Sequence, residues 1–594
     1  MTQHSQQASL FATTAGTWLA VACVFVGVSF LSVPVPGINE PHYLTKARAF
    51  ADPDWGTRDF FLQSANAHYV FYTVVGPLTR LLPLAAVAVL GRVVSLALLA
   101  VGWTMLGRRL QLSDWATVLA AALFCGIAMT GNFSGEWIIG GFEGKVPAYG
   151  FATVGLARWL KAWRTERISE YAVTGLLLGA SVAFHPVVGL WFCIGITGSE
   201  VLRQVWTTVR STATDGRRWL AFLASGSAFA AAAVLSALPG LIPAVRLVLS
   251  SELPPDRTAR ANYIQVFWRL AHHLDPSTFP ARAWVHSGVL LMICTAAVVA
   301  LHFRRRRRVG NHSVVAVPAA ESAMAAPEAV HHVAGEVPTA GLLSTDSPAA
   351  DSQTAAAIWS PLLLLLLVSG VIAAVGTIIG WHTIPVLKLP DWQWRAAVLK
   401  FYPFRFFDAV LPITTALAVA AVIDLRAVDR ASTLIRASTV IRASTVIRGM
   451  CFLVVVTVLV SAWQIRPMAP GAYSAQDYKS WQEACHWLKN NTPPDALIFG
   501  PREGFGLKWF AERAEFVCFK DCPQDAAGIL EWNRRLWQIH GWSEASYGDG
   551  IFDKEDTRRL HRETGITYIL TRQLGPFELE PVTESGVWRI YSID

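Results

Sequence analysis

The sequence predicts a polytopic α-helical membrane protein with a small C-terminal α/β domain. Three observations carry that reading. Of the 594 residues, 53% are hydrophobic and only 15% charged, against roughly 25% charged in an average soluble domain. Apolar runs recur through residues 1–464, many near the ~20 residues needed to cross a bilayer. Beyond residue 465 the pattern changes to short strands alternating with amphipathic helices.

About eleven spans are expected, at 15–35, 82–106, 116–131, 147–160, 170–184, 187–202, 219–247, 284–303, 358–380, 406–424 and 450–464. The first is read as a retained span rather than a cleavable signal, because it is long for a signal core and lacks a small-residue cleavage site. The third to sixth are short, which suits tilted or protein-shielded segments. Every second loop is basic: Arg108 and Arg109, then Lys161, Arg164 and Arg167, then Arg203 to Arg218, Arg304 to Arg308, and Arg426 to Arg448. The positive-inside bias therefore puts the N-terminus in the cytoplasm. It puts loops 36–81, 132–146, 248–283 and 381–405, with the region 465–594, on the exoplasmic side. The net charge of +8 arises in these short loops, so it is not a nucleic-acid signature.

Two cytoplasmic stretches are of low complexity. Residues 309–357 are rich in Ala, Val, Ser, Pro and His and read as a disordered linker. Residues 430–448 hold the hexamer repeat "RASTLI RASTVI RASTVI R", an inert basic loop or one that touches anionic lipid. In the C-terminal region, "SAQDYKSWQEACHWLKNNTP" opens with a capping pattern at Ser474 and Asp477 and ends at Pro493. The segments "ALIFG", "EFVCF", "ITYIL" and "VWRIY" predict strands, and "DAAGILEWNRRLWQIHG" and "KEDTRRLHRET" predict helices. Outside the cytoplasm a disulfide is permitted. Cys518–Cys522 and a bridge from Cys485 are both open. Five cysteines in or beside apolar runs read as small buried hydrophobes. No P-loop, nucleophile elbow or Rossmann glycine pattern occurs.

Ionisable groups near a bilayer are costly unless paired or used, and here they gather in the exoplasmic loops. The loop after span one carries Glu40, His42, Asp59 and His68. Its segment "EPHYLTKARAFA" has the spacing of a helix lying flat on the bilayer. Glu40 would sit at the positive end of that helix, which favours the ionised carboxylate a base requires. The second loop, "GEWIIGGFEGKVPAYG", sets Glu143 and Lys145 among glycines that let backbone approach a ligand. The third ends in "FWRLAHHLDP", where Arg269 and His273 share a helix face beside His272. That spacing favours phosphate binding or a cap over a metal site. In the fourth, Lys400 and Arg405 flank span ten at the depth of a lipid phosphate, where Arg405 can grip phosphate through two donors.

The segment Asn39-Glu40-Pro41-His42-Tyr43, following span one and opening a long exoplasmic loop, resembles the acidic motif of the GT-C class of membrane glycosyltransferases. That class includes protein O-mannosyltransferases, the lipid A aminoarabinose transferase and the oligosaccharyltransferase catalytic subunits. The class motif is Asp-Glu or a close variant, and this sequence departs from it with Asn39. The chain is also similar to a group of bacterial multi-span proteins sharing "NEPHYL", "HHLDP" and "KFYPFRFFD". The resemblance implies a GT-C-like fold in a bacterial inner membrane. It implies transfer of a sugar from a polyprenyl-phosphate-linked donor to a lipid, glycan or protein acceptor. Glu40 is then the expected catalytic carboxylate, with Asp59 and Glu143 next. His42, His68, Lys145, Arg269, His272, His273, Lys400 and Arg405 are the expected substrate and phosphate ligands. No cofactor is named by the sequence and no metal is required by it; a divalent cation stays open because the class differs in metal dependence. Two other readings compete: a transporter or flippase of an anionic lipid or glycan, which needs polar groups at mid-membrane, and a non-catalytic assembly protein, which Asn39 favours.

Overall fold

The computed structural model describes residues 3–211, 216–249, 253–313, 355–433, 437–467, 473–502 and 506–593. Eleven long helices carry the apolar runs: α1 (Gln3–Ser32), α2 (Leu84–Arg109), α3 (Asp114–Met129), α4 (Lys145–Thr165), α5 (Ile168–Phe184), α6 (Pro186–Arg210), α7 (Gly216–Leu249), α8 (Ala281–Ser313), α9 (Ala355–Gly380), α10 (Pro403–Thr433) and α11 (Ala437–Gln464). Among the described residues, six segments are long and apolar enough to cross a membrane: in α1, α2, α7, α8, α9 and the stretch Trp392–Asp424, which takes in the first part of α10. Helices α3 and α5 and the Arg448–Gln464 part of α11 are apolar but shorter. The expected eleven spans thus correspond to eleven helices, of which six suffice on length and composition. Most of the expected linker 309–357 lies outside the described residues.

The helices pack on one apolar core that includes Phe25, Trp103, Phe124, Trp159, Leu178 and Trp359. Small residues set the closest crossings. A Cβ on Gly102 would stand 2.6 Å from the Val154 nitrogen, so only glycine lets α2 lie this close to α4.

After α11 comes α12 (Ala475–Asn491), capped by the Ser474 hydroxyl, which accepts from the Asp477 N–H at 3.0 Å. Helices α13 (Ala526–Ser546) and α14 (Lys554–Thr564) follow. Five strands, β1 (Leu497–Phe499), β2 (Ala514–Glu515), β3 (Tyr568–Thr571), β4 (Thr583–Ser585) and β5 (Trp588–Ser592), form one sheet in the order β2-β1-β3-β5-β4. The β1 pairings to β2 and β3 are parallel, and the β5 pairings to β3 and β4 are antiparallel. The expected strand "EFVCF" is corrected. Pairing stops at Glu515, and Phe516, Val517 and Cys518 turn inward as buried loop. Cys485, Cys518 and Cys522 are free and buried, so neither of the two disulfides left open is formed.

The opening loop is anchored by Glu40, and here the expected role changes. Glu40, with no exposed surface, begins the helix Glu40–Ala51, which has no exposed residue and so is packed within the protein rather than lying flat on the bilayer as expected. Arg92, in the apolar run of α2, donates Nε to Oε1 at 2.6 Å and Nη2 to Oε2 at 2.8 Å. The backbone N–H groups of Gly37 and Phe142 donate to the same carboxylate at 2.6 and 2.7 Å. Arg92 directs two further donors at the carbonyls of Val33 and Pro34. Gly141 permits this, since a Cβ there would stand 3.1 Å from the Glu40 carboxyl carbon. All of the acceptor capacity of Glu40 is directed at protein, so it ties the end of α1 to α2 and to loop 132–146 rather than activating an acceptor. Replacing either Glu40 with Gln or Arg92 with Met should destabilise the protein by about 3–5 kcal/mol, because one buried charge is left unpaired. Thermal unfolding in detergent should show the double variant losing less than the sum of the two.

Candidate functional site

The loops expected on one side of the membrane do gather at one end of the bundle, and the sheet domain sits on them. Two polar groups form there, one between the loops and one between the loops and the domain.

The first is built on loop 132–146. Asp408, on α10, accepts from the N–H groups of Phe133 and Ser134 at 2.8 and 2.7 Å and from the Ser134 hydroxyl at 2.6 Å. With the loop held there, Glu136 lies 2.8 Å from Arg405 Nε and 3.6 Å from Lys145 Nζ, and Tyr149 donates to it at 3.1 Å. Burial opposes its charge, but Arg405, Lys145 and His273 outweigh burial and hold Glu136 below the usual carboxylate range. Lys145 also lies 3.4 Å from Glu143, whose other oxygen accepts from the Asn39 amide at 2.9 Å. Asn39 is therefore the orienting partner of Glu143. A second acid at position 39 would set two carboxylates against each other.

Arg405 lies over the Tyr402 ring at 4.1 Å. Within this group Lys145 and Arg405 are balanced by Glu136 and Glu143, so the two expected phosphate ligands are already paired. Lys400 is separate: its ammonium donates to Asn262 at 3.3 Å. His68 lies against His185, with ring centroids 4.8 Å apart, and 3.3 Å from the Tyr43 hydroxyl. Burial takes His68 down to about 3. His273, whose Nδ1 meets the Ser134 carbonyl, is also brought down to about 3, by burial and then by His272. Burial lowers His272 and His42 as well. Burial holds all four below the ordinary imidazole value, so they are neutral at neutral pH.

The second group joins the opening loop to the domain. Lys508 lies 2.6 Å from Asp521, 3.0 Å from Glu515 and 3.4 Å from Asp59. Burial works against its charge, but these carboxylates outweigh burial and keep it protonated. Asp59 has no exposed surface. It caps the short helix Phe60–Gln63 through the Leu62 N–H and accepts from the Glu515 N–H at 2.9 Å. It is thus a joint between loop and β2, not a member of the Glu143 group. Asp521 accepts from His42 Nδ1 at 2.8 Å. Glu515, Cys518 and Asp521 present ligand atoms within 4.8 Å of one another, but the Lys508 ammonium already supplies the cation at Glu515 and Asp521. Arg58 extends the joint, donating to the carbonyls of Asp495 and Gly565 at 3.1 and 2.8 Å. The crevice left between His42, Lys508, Lys520 and Asp521 has a volume of about 10 Å³, room for about one water.

Between these groups lies the positive charge that remains. A π-helical turn, Ile264–Arg269, brings Arg269 to the domain, where Nη2 donates to the Lys520 carbonyl at 2.7 Å. Its Nε is buried and has no hydrogen-bond partner among the described residues. Lys520 makes no ion pair among the described residues, and burial followed by the nearby Arg269 lowers its affinity for a proton. Sequence reasoning named Arg269 but missed Lys520, Lys508, Asp521, Arg92 and Asp408. Arg92 in the apolar run of α2 and Asp408 near the start of α10 are charges within expected spans and were findable on that ground. The three domain residues lie in an ordinary polar segment that carries no such signal.

Residues 479–539, from α12 into α13, match the family model described as a domain of unknown function, DUF6798. No curated protein matches the chain. Among solved structures, the crystal structure of the Archaeoglobus fulgidus oligosaccharyltransferase in the apo form aligns over 94% of this chain and 69% of its own, with 12% identity and a TM-score of 0.43. A likeness at that level transfers no residue roles.

The loop-to-domain joint titrates in a defined window. Burial pushes Glu515 up from 4.5 to about 7, with Asp521 and Asp59 adding to burial and Lys508 opposing it. The folded state then binds more protons than the unfolded state between about 4.5 and 7, so this group's stabilising contribution falls as pH rises through that window. The lowered histidines act in the opposite direction over part of it. The measurement is therefore a difference: the stability of Glu515→Gln minus that of the native chain should rise from pH 4.5 to pH 7 and then level off, read by thermal unfolding.

Proposed function

We propose that the protein is a membrane glycosyltransferase that moves a sugar from a polyprenyl-phosphate-linked donor to an acceptor at the end of the bundle carrying Glu143. This reading places that end on the exoplasmic side of a bacterial inner membrane. The observation that carries it is an oriented carboxylate near two cations that form no ion pair among the described residues. Glu143 is held by Asn39 and Lys145, while Arg269 keeps a buried Nε without an acceptor and Lys520 is without an ion pair among the described residues.

In this reaction the acceptor oxygen bonds to the sugar carbon as the bond from that carbon to the phosphate oxygen breaks. The acceptor proton passes to Glu143, and the bonding electrons leave with the phosphate, which Arg269 and Lys520 receive. Lys145 and Arg405 hold Glu136 and Glu143 in place. The water-sized crevice beside His42 is too small for a sugar, so the donor needs the domain to lift from the opening loop.

The same closed interface supports a second reading, a non-catalytic assembly protein, in which the paired Glu40 and the seated domain are the finished structure. Transfer from a labelled polyprenyl-phosphate sugar by purified protein separates the two. On the transferase reading, Glu143→Gln lowers turnover by about 10²–10⁴-fold, while Arg269→Met and Lys520→Met mainly raise the donor KM. Transfer at the native rate in Glu143→Gln would remove Glu143 from the reaction. Absence of transfer by the native protein across polyprenyl-phosphate sugars would favour the assembly reading.

A further inference from the structure

At the other end of the bundle, α1, α3 and α11 enclose a second space, an apolar groove of about 430 Å³. Its shape follows from where glycines fall. Towards the candidate site the three helices close up: a Cβ on Gly27 of α1 would lie 3.2 Å from the Leu459 side chain of α11, and one on Gly126 of α3 would lie 3.4 Å from Val458. Towards the basic loops the facing positions carry larger residues, among them Cys23, Trp115, Val118 and Phe452, and the helices stand apart. The result is a wedge that narrows towards mid-bundle and opens towards the basic end.

Chemistry along the wedge is uneven. Among the described residues, Arg448 is the only charged one lining it. It is exposed, near the start of the described side chains of α11, and is the last arginine of the hexamer repeat. Nearby acids are engaged elsewhere: Asp114 accepts from the Thr17 hydroxyl at 2.6 Å, and Asp424 accepts from the Ser113 N–H and hydroxyl at 2.8 and 2.9 Å. Trp115, in the first turn of α3, lies among the groove residues at the level where indole rings favour the headgroup boundary.

We infer that this groove is a binding site for one acyl chain of an anionic phospholipid, with the headgroup phosphate on Arg448. The apolar walls take the chain, and the arginine at the mouth selects the charge. The site is independent of the glycosyltransferase reading, since it lies at the opposite end of the helices and shares no residue with the Glu143 group.

The test uses the full chain in detergent. Lipid retention is measured by native mass spectrometry with phosphatidylglycerol and phosphatidylcholine of identical acyl chains. One arginine near the headgroups predicts about fivefold preference for the anionic lipid. Arg448→Gln should remove the preference while a chain is still retained, and Val455→Trp should displace both lipids by filling the groove. Brominated-chain phosphatidylglycerol should also quench the fluorescence assigned to Trp115, taken as the difference between the native chain and Trp115→Phe. This arm needs only the conservative Trp115→Phe to fold and holds even where Arg448→Gln or Val455→Trp does not. Equal retention of the two lipids by the native chain, an unchanged preference in Arg448→Gln, or an unquenched Trp115 would each overturn the proposal.

Discussion

The candidate site depends on one buried ion pair. Glu40 and Arg92 meet where three separate stretches must be held together: the end of α1, the outer part of α2 and the loop before α4. A charged pair in this position is costly to desolvate, and it is tolerated because Glu40 accepts four hydrogen bonds and Arg92 donates four. Its specificity comes from geometry. The fork of the guanidinium fits the carboxylate, and the leftover donors reach the two carbonyls that end α1. Asn39 and His42 flank this anchor in sequence, and each faces a different polar group.

From that anchor the charges divide into balanced and unbalanced sets. Lys145 and Arg405 are matched by Glu136 and Glu143, and Lys508 is more than matched by Asp59, Glu515 and Asp521. The first set keeps the loops in register with α4 and α10. The second seats the domain on the opening loop and leaves a surplus of negative charge, which adds to burial in making Glu515 resist ionisation. Arg269 and Lys520, side by side at the seam between loop and domain, have no carboxylate within ion-pair distance among the described residues.

Much of the scaffold was legible in the sequence. Apolar runs and the alternation of basic loops located the long helices, since a bilayer imposes length and charge rules that a sequence displays directly. Ser474, Pro493 and the alternating C-terminal segments marked the helices and most strands of the domain, although β4 was not foreseen and β2 is shorter than its pattern. The site was less legible. Glu40 carried a plausible motif, but its partner Arg92 lies 52 positions away in sequence, and nothing local announces that the carboxylate is occupied. Asn39 reads as a defect in a motif until Glu143 is seen beside it. The protonation state of the histidines could not be read from the sequence, because burial belongs to the fold and not to the residue.

The π turn at Ile264–Arg269 has a consequence of its own. Leu270 bonds back to Gln265 at 3.0 Å, five residues away rather than four, so this coil holds one residue more than an α-helix would. Removing a single residue there would let the backbone wind evenly, and every side chain beyond it would swing by about 100° around the axis. Trp268 would leave the Phe519 and Trp532 rings it now meets, and the guanidinium would turn away from the sheet domain. The insertion that looks like a flaw in the winding is what aims this arm.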